Sequence, residues 1–333
     1  MTEKNIIFVG MGIPNLITIY HLIKHSVIDP KNIVIYGEIL QYKEIKQNNQ
    51  SYHYYDTAAA VSLGTIDKSL NQDTFEYNFK NHTKINELLS RSYEKFKHMI
   101  QNNNDLQNLI SKPDNFKANF GKGYECLLYH PETLINDLVK YITDAKVSII
   151  DGKLKARDLK ELNNNDNKVI VCCGEGILKL KETETLKPLL ENTELLAYDG
   201  FVAVEKNNNK DNINSWAITF KNNKHITKTG IITTQYCGMK NDKRIMSEKK
   251  IIEIINNLKE YGNVRYAKRI FDSKSKMPII KYNNNTMVIT GLSSIGVSLS
   301  TYITEEVLNF LNYENENKNE IIDCLEKNYN NTN

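Results

Sequence analysis

Short apolar runs stand near both ends of the chain, with helical periods between them. Asn5-Ile-Ile-Phe-Val-Gly10 is one such run, closed by glycine. Leu16, Ile19, Tyr20, Leu22 and Ile23 then recur at helical spacing, and Asn32-Ile-Val-Ile-Tyr36 is a second apolar run. This order predicts a buried strand, an amphipathic helix and a second buried strand, so the chain opens on a βαβ unit. Farther on, 147–150 and Lys168-Val-Ile-Val-Cys-Cys-Gly174 read as strands, and residues 131–142 as a helix with proline at its start. Residues 77–110 are polar with helical spacing, most simply a solvated helical excursion. Gly200-Phe-Val-Ala-Val204, Ser215-Trp-Ala-Ile-Thr219 and Gly230-Ile-Ile-Thr-Thr234 predict antiparallel strands joined by Asn-rich hairpins. A helix over 247–261 follows, then the strand Thr286-Met-Val-Ile-Thr-Gly291, a helix over 292–311 and a polar tail.

Composition narrows the class. At 333 residues the chain exceeds what one core usually supports, so two domains are expected. The balance of 43 Lys+Arg against 40 Asp+Glu gives no reason to expect a nucleic-acid partner. No apolar run is long enough for a membrane span, and the N-terminus leads into strand pattern rather than a signal peptide. Five cysteines without zinc spacing suggest free thiols in a reducing cytoplasm. The asparagine triplets at 102–104, 163–165, 207–209 and 283–285 fall between predicted elements, where asparagine tolerates turn conformations.

The candidate chemistry lies where three apolar strands end in glycine, at Gly10, Gly174 and Gly291. At the carboxyl end of a parallel strand, glycine lets backbone approach a ligand, and the next helix offers N–H groups to phosphate. The first turn, Gly10-Met-Gly12-Ile13-Pro14-Asn15, keeps two glycines of a G-x-G-x-x-G fingerprint and has asparagine at the third. The acidic residue expected after the second strand falls on Gly37, with Glu38 one step beyond. Glu38 would reach ribose hydroxyls or stand as an exposed loop residue.

Seven segments, in order, resemble FAD-dependent amine and amino-acid oxidases of the D-amino-acid oxidase, glycine oxidase and sarcosine oxidase type. They are the opening turn; Asp56-Thr-Ala58-Ala59-Ala60-Val-Ser-Leu-Gly64; Tyr129-His-Pro-Glu-Thr-Leu-Ile-Asn-Asp-Leu138; and Val169-Ile-Val-Cys-Cys173-Gly174. Tyr198-Asp-Gly-Phe-Val202, Arg269 with Met277-Pro-Ile-Ile280, and Gly291-Leu-Ser293-Ser294-Ile295-Gly296 complete the set. The resemblance implies an α/β fold: a Rossmann-like FAD-binding domain from 1–65, 125–190 and 270–315. Interleaved with it would be an α+β substrate domain from 66–124 and 191–269 carrying a mixed or antiparallel sheet, with a polar tail over 316–333. It implies non-covalent FAD, since no cysteine precedes Met277 where some sarcosine oxidases tether the flavin. It implies hydride transfer from an amine or amino acid to flavin N5, giving the imine, with oxygen or another electron acceptor closing the cycle. A helix beginning near 293–296 would point its positive end at the flavin.

By the same resemblance Arg269 would bind the substrate carboxylate, with Lys268 and Arg265 as rivals, and Tyr236 would face the substrate. A surface arginine and a tyrosine packed on the sheet are the plainer alternatives. The seven histidines show no metal spacing; His21 and His25 read as a solvated helix face. Cys172 and Cys173 read as small apolar residues on opposite sides of a strand. Two other functions stay open: a nicotinamide-dependent dehydrogenase, and a non-catalytic relative with an eroded fingerprint.

Overall fold

The computed structural model describes residues 5–38, 42–47, 50–55, 61–63, 81–101, 115–116, 126–128, 131–163, 167–206, 215–216, 218–221, 224–228, 232–237, 247–259, 263–292 and 295–311. In chain order the elements are β1 (Asn5–Val9), α1 (Ile13–Lys24), β2 (Ile33–Tyr36), β3 (Tyr42–Gln47), β4 (Gln50–Tyr55), β5 (Val61–Leu63) and α2 (His82–Gln101). Then come β6 (Asn115–Phe116), β7 (Cys126–Leu128), α3 (Pro131–Asp144), β8 (Ser148–Ile150), α4 (Ala156–Leu162) and β9 (Asn167–Val171). Short helices α5 (Ile177–Leu180) and α6 (Lys187–Leu190) lead to β10 (Leu195–Lys206), β11 (Ser215–Trp216), β12 (Ile218–Lys221), β13 (Lys224–Lys228) and β14 (Ile232–Cys237). The chain closes with α7 (Glu248–Lys259), β15 (Asn263–Asp272), β16 (Ile279–Tyr282), β17 (Thr286–Thr290) and α8 (Ser300–Phe310).

The first sheet runs β16-β17-β9-β1-β2-β8, parallel throughout except for the β16–β17 hairpin. Counted along the parallel strands this is a 3-2-1-4-5 order, the doubly wound arrangement. Strand alternation divides the core. Ile6 and Phe8 face the layer of α1, α2, α3 and α8, while Ile7 and Val9 face Leu159, Ile177, Leu180 and Leu189 from α4 to α6. Burial on both faces explains why these strands read as unbroken apolar runs.

Helix α2 differs from the solvated excursion expected of it. Its Ile85, Leu89, Tyr93 and Phe96 are buried in the same core as α8, and Ser92 Oγ and Thr301 Oγ1 share a hydrogen bond of 2.8 Å. Lys95 pairs with Glu305, both buried, and Arg91 reaches the same carboxylate at 3.0 Å. The polar composition misled because part of the polarity is spent inward, on this buried pair.

The second sheet runs β12-β13-β14-β10-β15-β4-β3 and is antiparallel except where β15 meets β4. One face packs on α7 through Phe201, Val264, Tyr266, Ile251, Ile255 and Leu258. The β3–β4 hairpin was not visible in the sequence, because its charged edge strand carries no clean alternation. The Asn283–Asn285 triplet makes the β16–β17 turn: Asn283 Oδ1 accepts from the N–H groups of Asn285 (3.0 Å) and Thr286 (2.8 Å). Triplets 102–104 and 207–209 lie outside the described residues, as does most of 163–165 and the whole of the tail from 312.

Candidate functional site

The carboxyl ends of the first sheet's strands are laced together just past their last residues. Gly37 N–H donates to the Ile150 carbonyl (3.2 Å), Gly10 N–H to Tyr36 (2.7 Å) and Cys172 N–H to Val9 (3.0 Å). The chain leaves β1 toward β2 and β8 on one side, then crosses to β9 and β17 on the other, so the strand order reverses between β1 and β9. An open parallel sheet leaves its ligand crevice at such a switch point. The Gly10–Asn15 turn forms one wall and the Cys172–Gly174 turn the other.

The first two glycines serve different ends. Gly10 has φ +108°, and a methyl group there would lie 2.3 Å from the Cys172 carbonyl oxygen, so only glycine fits. Gly12 has an ordinary φ of −69°, and the nearest atom to a methyl group would be Pro14 Cδ at 3.7 Å. Packing therefore does not require glycine at 12; its effect is to leave open space at the start of α1. No side chain caps that helix, so the N–H groups of Ile13 and Asn15 have no carbonyl within it, and Pro14 carries no N–H to orphan. The result is an uncapped, positively polarised helix end beside a bare backbone.

Asn15 is 1% exposed. Its Nδ2 donates to the Gly10 carbonyl at 2.8 Å and approaches those of Val9 and Cys172 at 3.4 Å each. Its Oδ1 is buried and has no partner among the described residues. The third fingerprint position thus holds a side chain packed between helix and strands rather than a missing one.

Gly37, at the expected acidic position, is forced by packing: a methyl group there would fall 2.7 Å from Met11 Cγ and 2.9 Å from Met11 N. Glu38 stands just outside, half-exposed, with Lys153 Nζ at 3.3 Å. Sequence reasoning passed over Met11, and no local signal marks it, since the contact joins two separate turns.

On the opposite wall, Cys172 packs with the α1 side of the sheet and Cys173 with the α4–α6 side. Burial pushes both thiols up to about 12, which leaves them poor nucleophiles. Gly174 has φ +53° and open space where a methyl group would stand. The closing turn reaches the same place: a methyl group on Gly296 would lie 3.7 Å from Pro14 Cγ, Ile295 is buried, and Gly291 takes φ +68°. Thr18 and Thr304 share a hydroxyl hydrogen bond of 3.1 Å that ties α1 to α8 below the turn. Helix α8 begins at Ser300, after turns over 295–299, and not near 293–296 as expected. Gly291 and the turn-forming Ile295–Leu292 bond (2.9 Å) delay regular helix until the chain has passed Pro14. Ala58, Ala59, Ala60, Gly64, Ser293 and Ser294 lie outside the described residues.

The second sheet brings the two substrate candidates to one face. Register pairs Tyr236 with Val202, Val202 with Arg265, and Tyr198 with Arg269. Cross-strand partners share a face, so Tyr236, Arg265 and Arg269 occupy positions on the side opposite α7. Arg269 lies in a central strand, not on a surface edge. Its guanidinium fills the space over Gly200, where a methyl group would meet Nε at 2.7 Å, and burial lowers its pKa to about 9. Lys268, the rival, projects the other way and pairs with Glu175 of the Gly174 turn at 3.1 Å. Gly200 stands in the sequence only as the start of a predicted strand; that it makes room for Arg269 is visible only in the register.

His21 departs from the expected solvated face. It is 3% exposed, stacks on His25 with centroids 5.8 Å apart, and neither ring nitrogen has a partner among the described residues. Among the described residues there is no group of three metal-ligating side chains and no helix long and apolar enough to cross a membrane.

No family model matches the sequence, and no curated protein does. Solved structures do match the fold. Glycine oxidase from Geobacillus kaustophilus has a TM-score of 0.60 at 10% identity, covering 94% of this chain and 95% of that one. L-amino acid deaminase from Proteus vulgaris has 0.59 at 9% identity, with 94% of each chain covered. Dithionite-reduced L-α-glycerophosphate oxidase from Mycoplasma pneumoniae, with FAD bound, has 0.56 at 13% identity over 94% and 95%. The chain is similar to these in fold along nearly its whole length.

Proposed function

We propose that the protein is a FAD-dependent oxidoreductase that oxidises an amine or amino acid to the imine. The observation that carries this reading is the switch-point crevice. Its Gly12 wall is open where packing demands nothing, and its helix end is uncapped, with the N–H groups of Ile13 and Asn15 lacking a carbonyl within the helix. These features fit a dinucleotide pyrophosphate, which needs close backbone approach and unpaired N–H donors. The fold neighbours, among them an FAD-bound oxidase, a glycine oxidase and an amino acid deaminase, support the same cofactor and substrate class.

In this reading the N–H groups of Ile13 and Asn15 receive the pyrophosphate, and Gly12 admits it. Gly174, Gly291 and Gly296 border the same crevice; Ala58, Ala59, Ala60, Gly64, Ser293 and Ser294 are assigned to the cofactor on the family resemblance alone. Glu38 takes the ribose hydroxyls. Bound FAD would supply a two-electron acceptor for the hydride of the substrate's α-carbon. The chain's own part is alignment. Arg269, a guanidinium held out of bulk water at a fixed site, takes the substrate carboxylate in bidentate fashion, where low dielectric strengthens the contact. Tyr236, on the same face, contacts the substrate. The substrate loses two electrons and two hydrogens; water then hydrolyses the released imine, and oxygen or another acceptor removes the electrons. We assign the first sheet and its helices to cofactor binding and the second sheet to substrate binding, which moves the β3–β4 hairpin out of the expected 1–65 cofactor segment and α2 out of the expected 66–124 substrate segment.

The departures that left a non-catalytic relative open are accounted for locally: Gly37 by Met11, Asn15 by its hydrogen bonds. The test is the absorbance of purified protein, before and after adding FAD, followed by anaerobic mixing with a panel of amines and amino acids. Flavin bands that bleach with one class of substrate are expected. Protein that is folded, colourless and takes up no FAD refutes the reading.

A further inference from the structure

We infer that Asn15 is a positioning residue for the cofactor turn, a clamp that does the work of the missing third glycine by a different physical route. This rests on the dinucleotide reading of the crevice. In the glycine fingerprint the third position is small so that helix and strand pack closely. Here α1 starts against the sheet with a buried amide between them, and that amide spans both walls. Nδ2 holds the Gly10 carbonyl at 2.8 Å, on the residue whose φ of +108° defines the turn. At 3.4 Å it also approaches Val9 on β1 and Cys172 beyond β9, the two residues already joined by the Cys172–Val9 backbone bond of 3.0 Å. Carbonyl ends of neighbouring strands repel, and a shared donor holds them together at the mouth of the crevice. The turn is thereby fixed before ligand arrives. A site only partly populated in its competent form binds more weakly by that fraction, so fixing it raises affinity without any new contact.

Oδ1 completes the argument. It is the one buried oxygen at this turn, among the described residues, left without a donor. A pyrophosphate has no hydrogen to give, so the group that Oδ1 accepts from in the complex is a cofactor hydroxyl or a water bridging to the phosphates.

Two variants separate this from an eroded fingerprint. Asn15→Gly restores the consensus glycine; if asparagine is mere drift, FAD binds as tightly or more tightly. Asn15→Asp keeps the shape, removes the donor and places a carboxylate against three carbonyls. FAD affinity is read by quenching of flavin fluorescence, and the apoprotein melting midpoint by differential scanning fluorimetry, which needs no ligand. The clamp predicts FAD affinity in the order wild type, Asn15→Gly, Asn15→Asp, with at least a tenfold rise in Kd for the glycine variant. It also predicts an Asn15→Gly apoprotein midpoint lower by roughly 2 °C, the scale of one buried hydrogen bond lost. Unchanged or tighter FAD binding by Asn15→Gly overturns the inference, as does a lower midpoint with unchanged Kd, which makes the residue a folding element alone. Wild-type protein that binds no FAD overturns the functional reading and the ligand half of this one. An Asn15→Gly midpoint equal to wild type in that same protein overturns the clamp itself.

Discussion

Acidification tests the burial of His21. The ring is 3% exposed, stacked on His25 and set edge-on to Tyr20, with Lys24 also nearby. Burial, then the charges of His25 and Lys24, lowers its pKa from 6.5 to about 3. The unfolded chain therefore binds the proton far more readily than the folded one. A base with a depressed folded pKa contributes full stability above pH 6.5, and that contribution falls as pH drops toward 3. At pH 5 the unfolded state is favoured about thirtyfold by this group, or about 2 kcal/mol. With unfolding entropy of about 2.1 cal/mol/K per residue, a chain of 333 residues loses about 3 °C of melting midpoint for that energy. His25, whose pKa is also lowered by burial, and the carboxylates add to the acid limb, so the comparison must be made against a variant. His21→Leu removes two buried nitrogens that lack partners, and its midpoint at pH 7 is expected at or above wild type. Between pH 7 and pH 5 the wild type should lose about 3 °C more than His21→Leu, measured by thermal melts in matched buffers. Equal losses for the two proteins would show that His21 is not held neutral in the fold.

Four other expectations follow from the geometry. Gly10→Ala meets the Cys172 carbonyl and a positive φ, and should cost about 3 kcal/mol or more, seen as a collapse of soluble, folded protein. Gly12→Ala meets nothing within 3.7 Å, so the apoprotein should melt as wild type while FAD affinity falls at least tenfold; an unchanged affinity would remove Gly12 from the site. Glu305→Leu removes the carboxylate that pairs with the buried Lys95 ammonium and should cost about 3–5 kcal/mol, most of it restored by adding Lys95→Met, as read by urea unfolding midpoints. Arg269→Leu should leave FAD bound and raise KM for a carboxylate substrate by tenfold or more; an unchanged KM would move the clamp to Arg265, which shares the face.

The sequence determined the elements that are buried on both sides and the turns that need glycine. β1, β2, β9 and β17 are legible because a strand covered on both faces must be apolar at every position. Gly10 is legible because a positive φ against a neighbouring carbonyl excludes every side chain. The family resemblance, read from seven weak segments, agrees with the fold found by structural comparison. What the sequence left undecided depends on contacts between distant parts of the chain. The polar face of α2 hides a buried ion pair because its partner is 210 residues away. Gly37 looks like a lost acidic residue until Met11 is seen to occupy its side-chain space. Arg269 and Tyr236 share a face only through the register of β10 with its two neighbours. Asn15, which reads as a defect in a one-dimensional motif, becomes a hydrogen-bonded member of the crevice once β1 and β9 are side by side. Local pattern records how much of a residue is covered; which residue covers it is set by the strand order, and that is decided only when the whole chain packs.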